Sequence, residues 1–169
     1  MSDEFRQIQV ANIVTFLRDI GISVAVGNVD DDAFLPGIEV VGGGIVVDES
    51  KLKYPGDLLH EAGHLAVVRV ADRHDLNGKV ESPDSNPQVV EVEAMLWSYA
   101  ACINLGIPPQ VVFHRHGYHG RSEDLLRNFE LGVFLGVQGL EAYGMTLSPA
   151  RAESIGVQPF PKMQKWLRN

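Results

Sequence analysis

Apolar residues recur at helical spacing from Phe5 to Ile20, where Ile8, Ile13, Phe16, Leu17 and Ile20 form a stripe. The spacing predicts an amphipathic helix stopped by Gly21. Ser23 to Val26 reads as a short strand, followed by the turn-rich acidic segment NVDDDAFLPG. In IEVVGGGIVVD two β-branched runs flank Gly42, Gly43 and Gly44, the pattern of a hairpin or a bulged strand. Pro55 to about Ala71 predicts a helix with Leu58, Ala62, Leu65 and Ala66 on one side and Val67 and Val68 on the other. A helix that is apolar nearly all round belongs at the centre of a fold. Residues 72–88, with two prolines and a glycine, read as a surface loop. Val89 to Leu105 predicts a second buried helix, closed by Gly106 and the Pro108-Pro109 pair. After FHRHGYHG comes a helix from about Ser122 to Phe134, with Ser122 as its N-cap. From Gln138 onward short helices and irregular chain are expected. Helix, small sheet or hairpin, then helices describe an α+β fold, read as a single domain over residues 1–169.

Composition narrows the class. The chain of 169 residues is 45% hydrophobic and 21% charged, the balance of a soluble globular domain with a core of its own. No apolar run is long enough to cross a bilayer, so no membrane partner is expected. The N-terminal MSDEFRQIQVANIV lacks the basic and apolar regions of a signal peptide. The single Cys102 excludes an internal disulfide and suits a reducing cytoplasm. A formal net charge of -8, with Lys and Arg scattered, argues against nucleic acid as a partner.

The central helix carries unexpected chemistry. His60-Glu61-Ala62-Gly63-His64 matches H-E-x-x-H. On a helix the two histidines lie one turn apart on one face, so both imidazoles can reach one metal ion. Glu61 stands roughly 100° further round, placed to act as general base rather than ligand. Three ionisable groups on so apolar a helix would cost several kcal/mol if unpaired, in the range of about 2–7 kcal/mol per buried polar group.

A catalytic zinc site needs a third protein ligand and an open position. Val70, six residues beyond His64, excludes a third histidine at that spacing. VEVEAMLWSYAA offers Glu91 and Glu93, which point roughly 200° apart on a helix, so only one can face the metal. Val89, Leu96, Trp97 and Ala100 share the Glu93 face, and a lone carboxylate in that company needs a cation. Glu93 is therefore expected as the ligand, and Glu91, nearer the helix start, as a capping or supporting residue.

HEAGHLAVV followed by EVEAMLWSYAACINLGIPP resembles the compact gluzincin-type zinc metallopeptidases, and most of all the ImmA/IrrE-like family. The resemblance covers roughly residues 38–112. It implies a zincin-like fold with a metal core over about 38–120 and C-terminal helices over 122–169. It also implies Zn2+ on His60, His64 and Glu93, with Glu61 as catalytic acid/base and a peptide or protein substrate. A strand before the metal helix, here Ile45 to Asp48, would pair with extended substrate as an edge strand or else be an ordinary core strand. Where many gluzincins have an aspartate to orient the first histidine, this chain has Trp97, and Asp57 is the replacement expected. In FHRHGYHG, His114 and Tyr118 are the preferred oxyanion donors, aimed by Gly117 and Gly120. A separate metal site on His114, His116 and His119 and a plain polar loop are the alternatives.

The functional expectation is a small intracellular zinc metallopeptidase. A different class stays open, a non-catalytic zinc-binding regulatory or interaction protein on the same fold. Substrate identity and oligomeric state are not written in the sequence.

Overall fold

The computed structural model of the chain describes residues 3–78 and 86–169. Within them the fold is α+β, with a three-stranded sheet and helices before and after it. Helix α1 spans Asp3–Asp19 and buries Val10, Ile13, Val14 and Leu17, an i, i+3, i+4, i+7 set, together with Phe16. Ile8, expected in the stripe, is 52% exposed, because it lies well round the helix from Ile13.

Strands β1 (Val24–Val26), β2 (Ile38–Val41) and β3 (Gly44–Val47) form a sheet in the order β1-β3-β2. β1 pairs parallel to β3, and β2 pairs antiparallel to it. The hairpin expected around the three glycines is present, with Gly42 and Gly43 both at positive φ in a two-residue turn. The strand Ile45 to Asp48, considered as a substrate-pairing edge, is interior: β3 has a partner on each side. Its outcome is the core strand, with Ile45 and Val47 buried.

Helix α2 (Asp57–Val67) is buried along most of its length and packs chiefly on α4 (Pro87–Leu105), touching α1 and β2 as well. α2 ends four residues before the expected Ala71. Its last carbonyls are capped from outside: Arg73 donates to Leu65 O and Val68 O, and Arg168 donates to Ala66 O and Val67 O. Those bonds satisfy groups that a continuing helix would have paired internally. The chain turns extended at Val68 and Arg69 and forms a short helix α3 (Val70–Arg73). The loop expected over 72–88 begins only after α3, and its residues 79–85 lie outside those described.

After α4, closed by Gly106 at positive φ, come 3₁₀ turns at Pro109–Val111 and Tyr118–Gly120. Then follow α5 (Ser122–Glu130), α6 (Val137–Ala142) and α7 (Pro149–Ile155). α5 stops short of Phe134 because Gly132 turns left-handed, with Gly132 and Val133 N–H closing on Phe129 and Asn128 carbonyls. Ser122 is not its cap; the Ser122 hydroxyl donates to His114 O instead. The final segment folds back onto the helix pair. Trp97 Nε1 donates to Trp166 O at 2.8 Å, and the Trp166 ring stands edge-on to Phe16. No helix among the described residues is long and apolar enough to cross a membrane.

Candidate metal centre

The site starts from a glycine. Gly63 lies where α2 and α4 approach most tightly: a Cβ there would sit 2.7 Å from Ala94 O and 3.0 Å from Ser98 Oγ. Ser98 in turn donates to Leu59 O of α2 and Ala94 O of its own helix. Glu91, Ala94, Ser98 and Ala101 recur at helical spacing, so a mostly small-residue seam of α4 carries one carboxylate into the face of α2.

At the end of that seam three side chains converge. His60 Nε2 and His64 Nε2 are 3.1 Å apart, and the His64 Nε2 to Glu91 Oε2 distance is also 3.1 Å. His60 Nε2 lies 3.6 Å from Glu91 Oε1. Among the described residues this is the one group of histidine, cysteine and carboxylate side chains that could hold a metal ion, its donor atoms all within 4.8 Å of one another. The two histidines are mostly covered and the Glu91 side chain is 43% exposed, which leaves the cluster a face toward solvent.

Glu93, expected as the third ligand, is elsewhere. It is buried on the opposite flank of α4, hydrogen-bonded to Tyr143 and close to the Arg168 guanidinium. The carboxylate in apolar company did need a partner, but the folded-back C-terminal segment supplies it. Burial raises its carboxyl above the usual range, and Tyr143 and Arg168 pull it back. Glu91 takes the position facing the histidines because it shares the small-residue seam, whereas Glu93 shares a face with Trp97. The small residues at 94, 98 and 101 were the sequence signal for this choice.

Glu61 is buried beside the ligands and borders a cavity of ≈ 90 Å³ lined also by Phe34, Leu35, Ile38, Glu39 and Val40. Burial pushes its carboxyl up to about 7, with His64 opposing and the nearby Asp57 and Glu91 carboxylates pushing the same way as burial. His60 moves down to about 4, again chiefly through burial, then through His64, with Glu91 opposing.

The loop between α4 and α5 reaches back over α2 at two points. The Tyr118 hydroxyl lies 3.2 Å from His60 Nδ1, the ring nitrogen turned away from the convergent Nε2 atoms. His114 Nε2 lies 3.1 Å from Asp57 Oδ1, and its ring stacks on Tyr54 with centroids 3.9 Å apart. Asp57, expected to orient the first metal histidine, pairs with His114 instead, and the group at His60 Nδ1 is the Tyr118 hydroxyl. His114 and Tyr118, expected as oxyanion donors, both face helix side chains through these bonds. His116 stacks on the other reach of Tyr54, at 5.9 Å, and is exposed. The alternative metal trio also needs His119, whose side chain lies outside those described.

One sheet edge borders the same cavity. Asp48 N–H bonds Gly37 O and Gly78 N–H bonds Val40 O, so alternate groups of β2 point inward to β3 and outward. The outward set includes the Val40 N–H; the outward Val40 carbonyl is taken by Gly78, and Ile38 is bridged to Leu35. No protein-family model, no curated protein and no solved structure matches this chain.

Proposed function

We propose that this protein is a zinc-dependent hydrolase of the metallopeptidase type, with His60, His64 and Glu91 as its metal ligands and Glu61 as its general acid/base. One observation carries the reading. Ligand atoms bound at about 2.0–2.1 Å around a tetrahedral zinc ion lie roughly 3.3 Å apart. Here the two nitrogens are 3.1 Å apart, and Glu91 approaches His64 through Oε2 at 3.1 Å and His60 through Oε1 at 3.6 Å, so two nitrogens and a carboxylate stand near the spacing of one shared ion. The donor set, two imidazoles and one glutamate, is that of a catalytic zinc with an open position.

When bound, zinc would supply Lewis acidity toward a carbonyl oxygen and acidify a water molecule. The rest falls to the chain. His60, held largely neutral by burial, keeps a lone pair for the ion down to mildly acidic pH. Glu61, buried beside the ligands, is placed to take a proton from the attacking water and pass it to the leaving nitrogen. The Val40 N–H on the outward edge of β2 offers an extended peptide one main-chain donor beside the cavity that Glu61 borders. The H-E-x-x-H helix and a glutamate on the helix packed against it support a gluzincin-type, zincin-like reading, whereas the Glu93-Ala94 and Trp97 pattern behind the ImmA/IrrE-like resemblance does not contain the Glu91 ligand.

Metal analysis of the purified protein, with wild type and Glu61→Gln compared on a peptide library, tests this. About one zinc per chain, with cleavage that falls at least ~100-fold in Glu61→Gln, is the expected result. Bound zinc without any Glu61-dependent cleavage would leave the non-catalytic zinc-binding class, and no affinity for zinc would remove both.

A further inference from the structure

The hydrogen bond between Tyr118 and His60 sits in a place where the backbone has been forced. Tyr118 is a non-glycine residue at φ 55, a left-handed conformation that costs of the order of 1–3 kcal/mol. It is held there from both sides. Ser122 Oγ donates to His114 O and lies 3.4 Å from Gly117 O, and His114 is anchored on Asp57. The Tyr118 ring packs against Phe113 and meets the His60 ring edge-on, centroids 5.5 Å apart at 88°.

The hydrogen-bond distances favour one arrangement of the two histidine protons in the metal-free chain. His64 Nδ1 is buried with no hydrogen-bond partner among the described residues, so a proton there would be an unsatisfied buried N–H. In the metal-free chain the proton of neutral His64 is satisfied on Nε2, facing Glu91 Oε2 at 3.1 Å, and it moves to Nδ1 when Nε2 takes an ion. His60 Nε2 stands 3.1 Å from His64 Nε2, a hydrogen-bond distance at which two N–H groups cannot both point inward. That leaves His60 Nε2 bare, with its proton on Nδ1, 3.2 Å from the Tyr118 oxygen.

We propose that Tyr118 is a positioning residue that keeps the proton of His60 on Nδ1, so that Nε2 presents its lone pair to a divalent cation. The phenol accepts that N–H and fixes the ring plane through the edge-on contact, the task an outer-shell acceptor performs for a metal-binding histidine. This rests on the metal-site reading above, but the proton placement concerns the metal-free chain and is measurable alone.

The test uses ¹⁵N-histidine-labelled, metal-free protein at neutral pH, with two-bond ¹H–¹⁵N correlation spectra of wild type and Tyr118→Phe, followed by zinc and cobalt(II) titration. Phenylalanine keeps the ring and its packing, so it removes the hydroxyl alone. Wild type is expected to show His60 protonated on Nδ1, and Tyr118→Phe to shift population toward the Nε2–H form. Tyr118→Phe is expected to bind both metals about 10–100-fold more weakly with little change in Tm. A wild-type His60 protonated on Nε2 overturns the proposal even if the variant does not fold. An unchanged tautomer or unchanged affinity in a folded Tyr118→Phe overturns it as well. If wild type binds neither metal, the zinc reading falls, and the His60 tautomer in the two spectra still decides the role of Tyr118.

Discussion

Glu91 on α4 reaches His64 on α2, Oε2 to Nε2 at 3.1 Å, across a helix crossing that Gly63 keeps open. Two positions on, Glu93 faces the other way and holds Tyr143. The two carboxylates, so close in the chain, serve separate purposes, and substitution separates them.

Glu91→Ala is expected to weaken zinc binding by at least ~100-fold while leaving the thermal transition of the metal-free protein little changed, since the side chain is partly solvated. Glu93→Ala does the reverse. It takes a buried carboxyl away from Tyr143 and Arg168 and is expected to lower stability by about 1–3 kcal/mol with zinc affinity retained. Paired metal titrations and denaturant melts check this; loss of zinc in Glu93→Ala with retention in Glu91→Ala would reverse the ligand assignment.

Gly63→Ala tests the crossing. Alanine is the better helix former by about 1 kcal/mol, so an exposed site would gain from the change. Here the new Cβ would meet backbone atoms of Ala94 at 2.7 and 3.2 Å, and neither helix can yield without parting from the other. The expected result is a net loss of about 1–3 kcal/mol and weaker zinc binding, because His64 and Glu91 move apart. A stabilised Gly63→Ala variant with unchanged affinity would show that the helices do not need this approach.

The Glu61 carboxyl gives a pH signature in the metal-free protein. Its folded value, about 7, is raised from 4.5, so the folded state holds the proton more tightly than the unfolded state. The stability it contributes is full below about 4.5 and is lost as pH rises through 7. Glu61→Gln removes that dependence. The stability difference between wild type and Glu61→Gln is expected to shift against wild type by up to about 3 kcal/mol between pH 4.5 and 8, from about 1.4 kcal/mol per pKa unit. His60 titrates in the opposite sense, contributing stability above 6.5 that is lost as pH falls through about 4, and it cancels in the comparison. Parallel melts across that range would reveal a flat difference if Glu61 were not buried as described.

Trp166→Ala removes a ring that packs on both Phe16 and Trp97, with centroids at 4.9 and 5.5 Å. The Trp97 indole keeps its main-chain acceptor, so the loss is one of packing. Because Trp166 is half-buried, a destabilisation of about 2–3 kcal/mol is expected, measured by chemical denaturation. A loss below 1 kcal/mol would mean that the C-terminal segment does not brace the helix pair.

The sequence alone determined the α+β order, the glycine hairpin, the two buried helices and the His60-Glu61-His64 triplet. These follow from local rules: apolar periodicity sets which face of an element is buried, glycine sets where the chain turns, and i, i+4 spacing sets which side chains share a helix face. Tertiary structure decided the rest. Which glutamate meets the histidines depended on how α4 rolls against α2, and that is fixed by the fit of Ala94 and Ser98 against Gly63. The end of α2 depended on Arg73 and Arg168 arriving to cap its carbonyls, the second from the far end of the chain. The place of β3 between two strands depended on a parallel pairing with β1 across about twenty residues of loop and strand. In each case the deciding contact joins residues distant in sequence, and a pattern read along the chain carries one helix's face but not the angle at which another helix meets it.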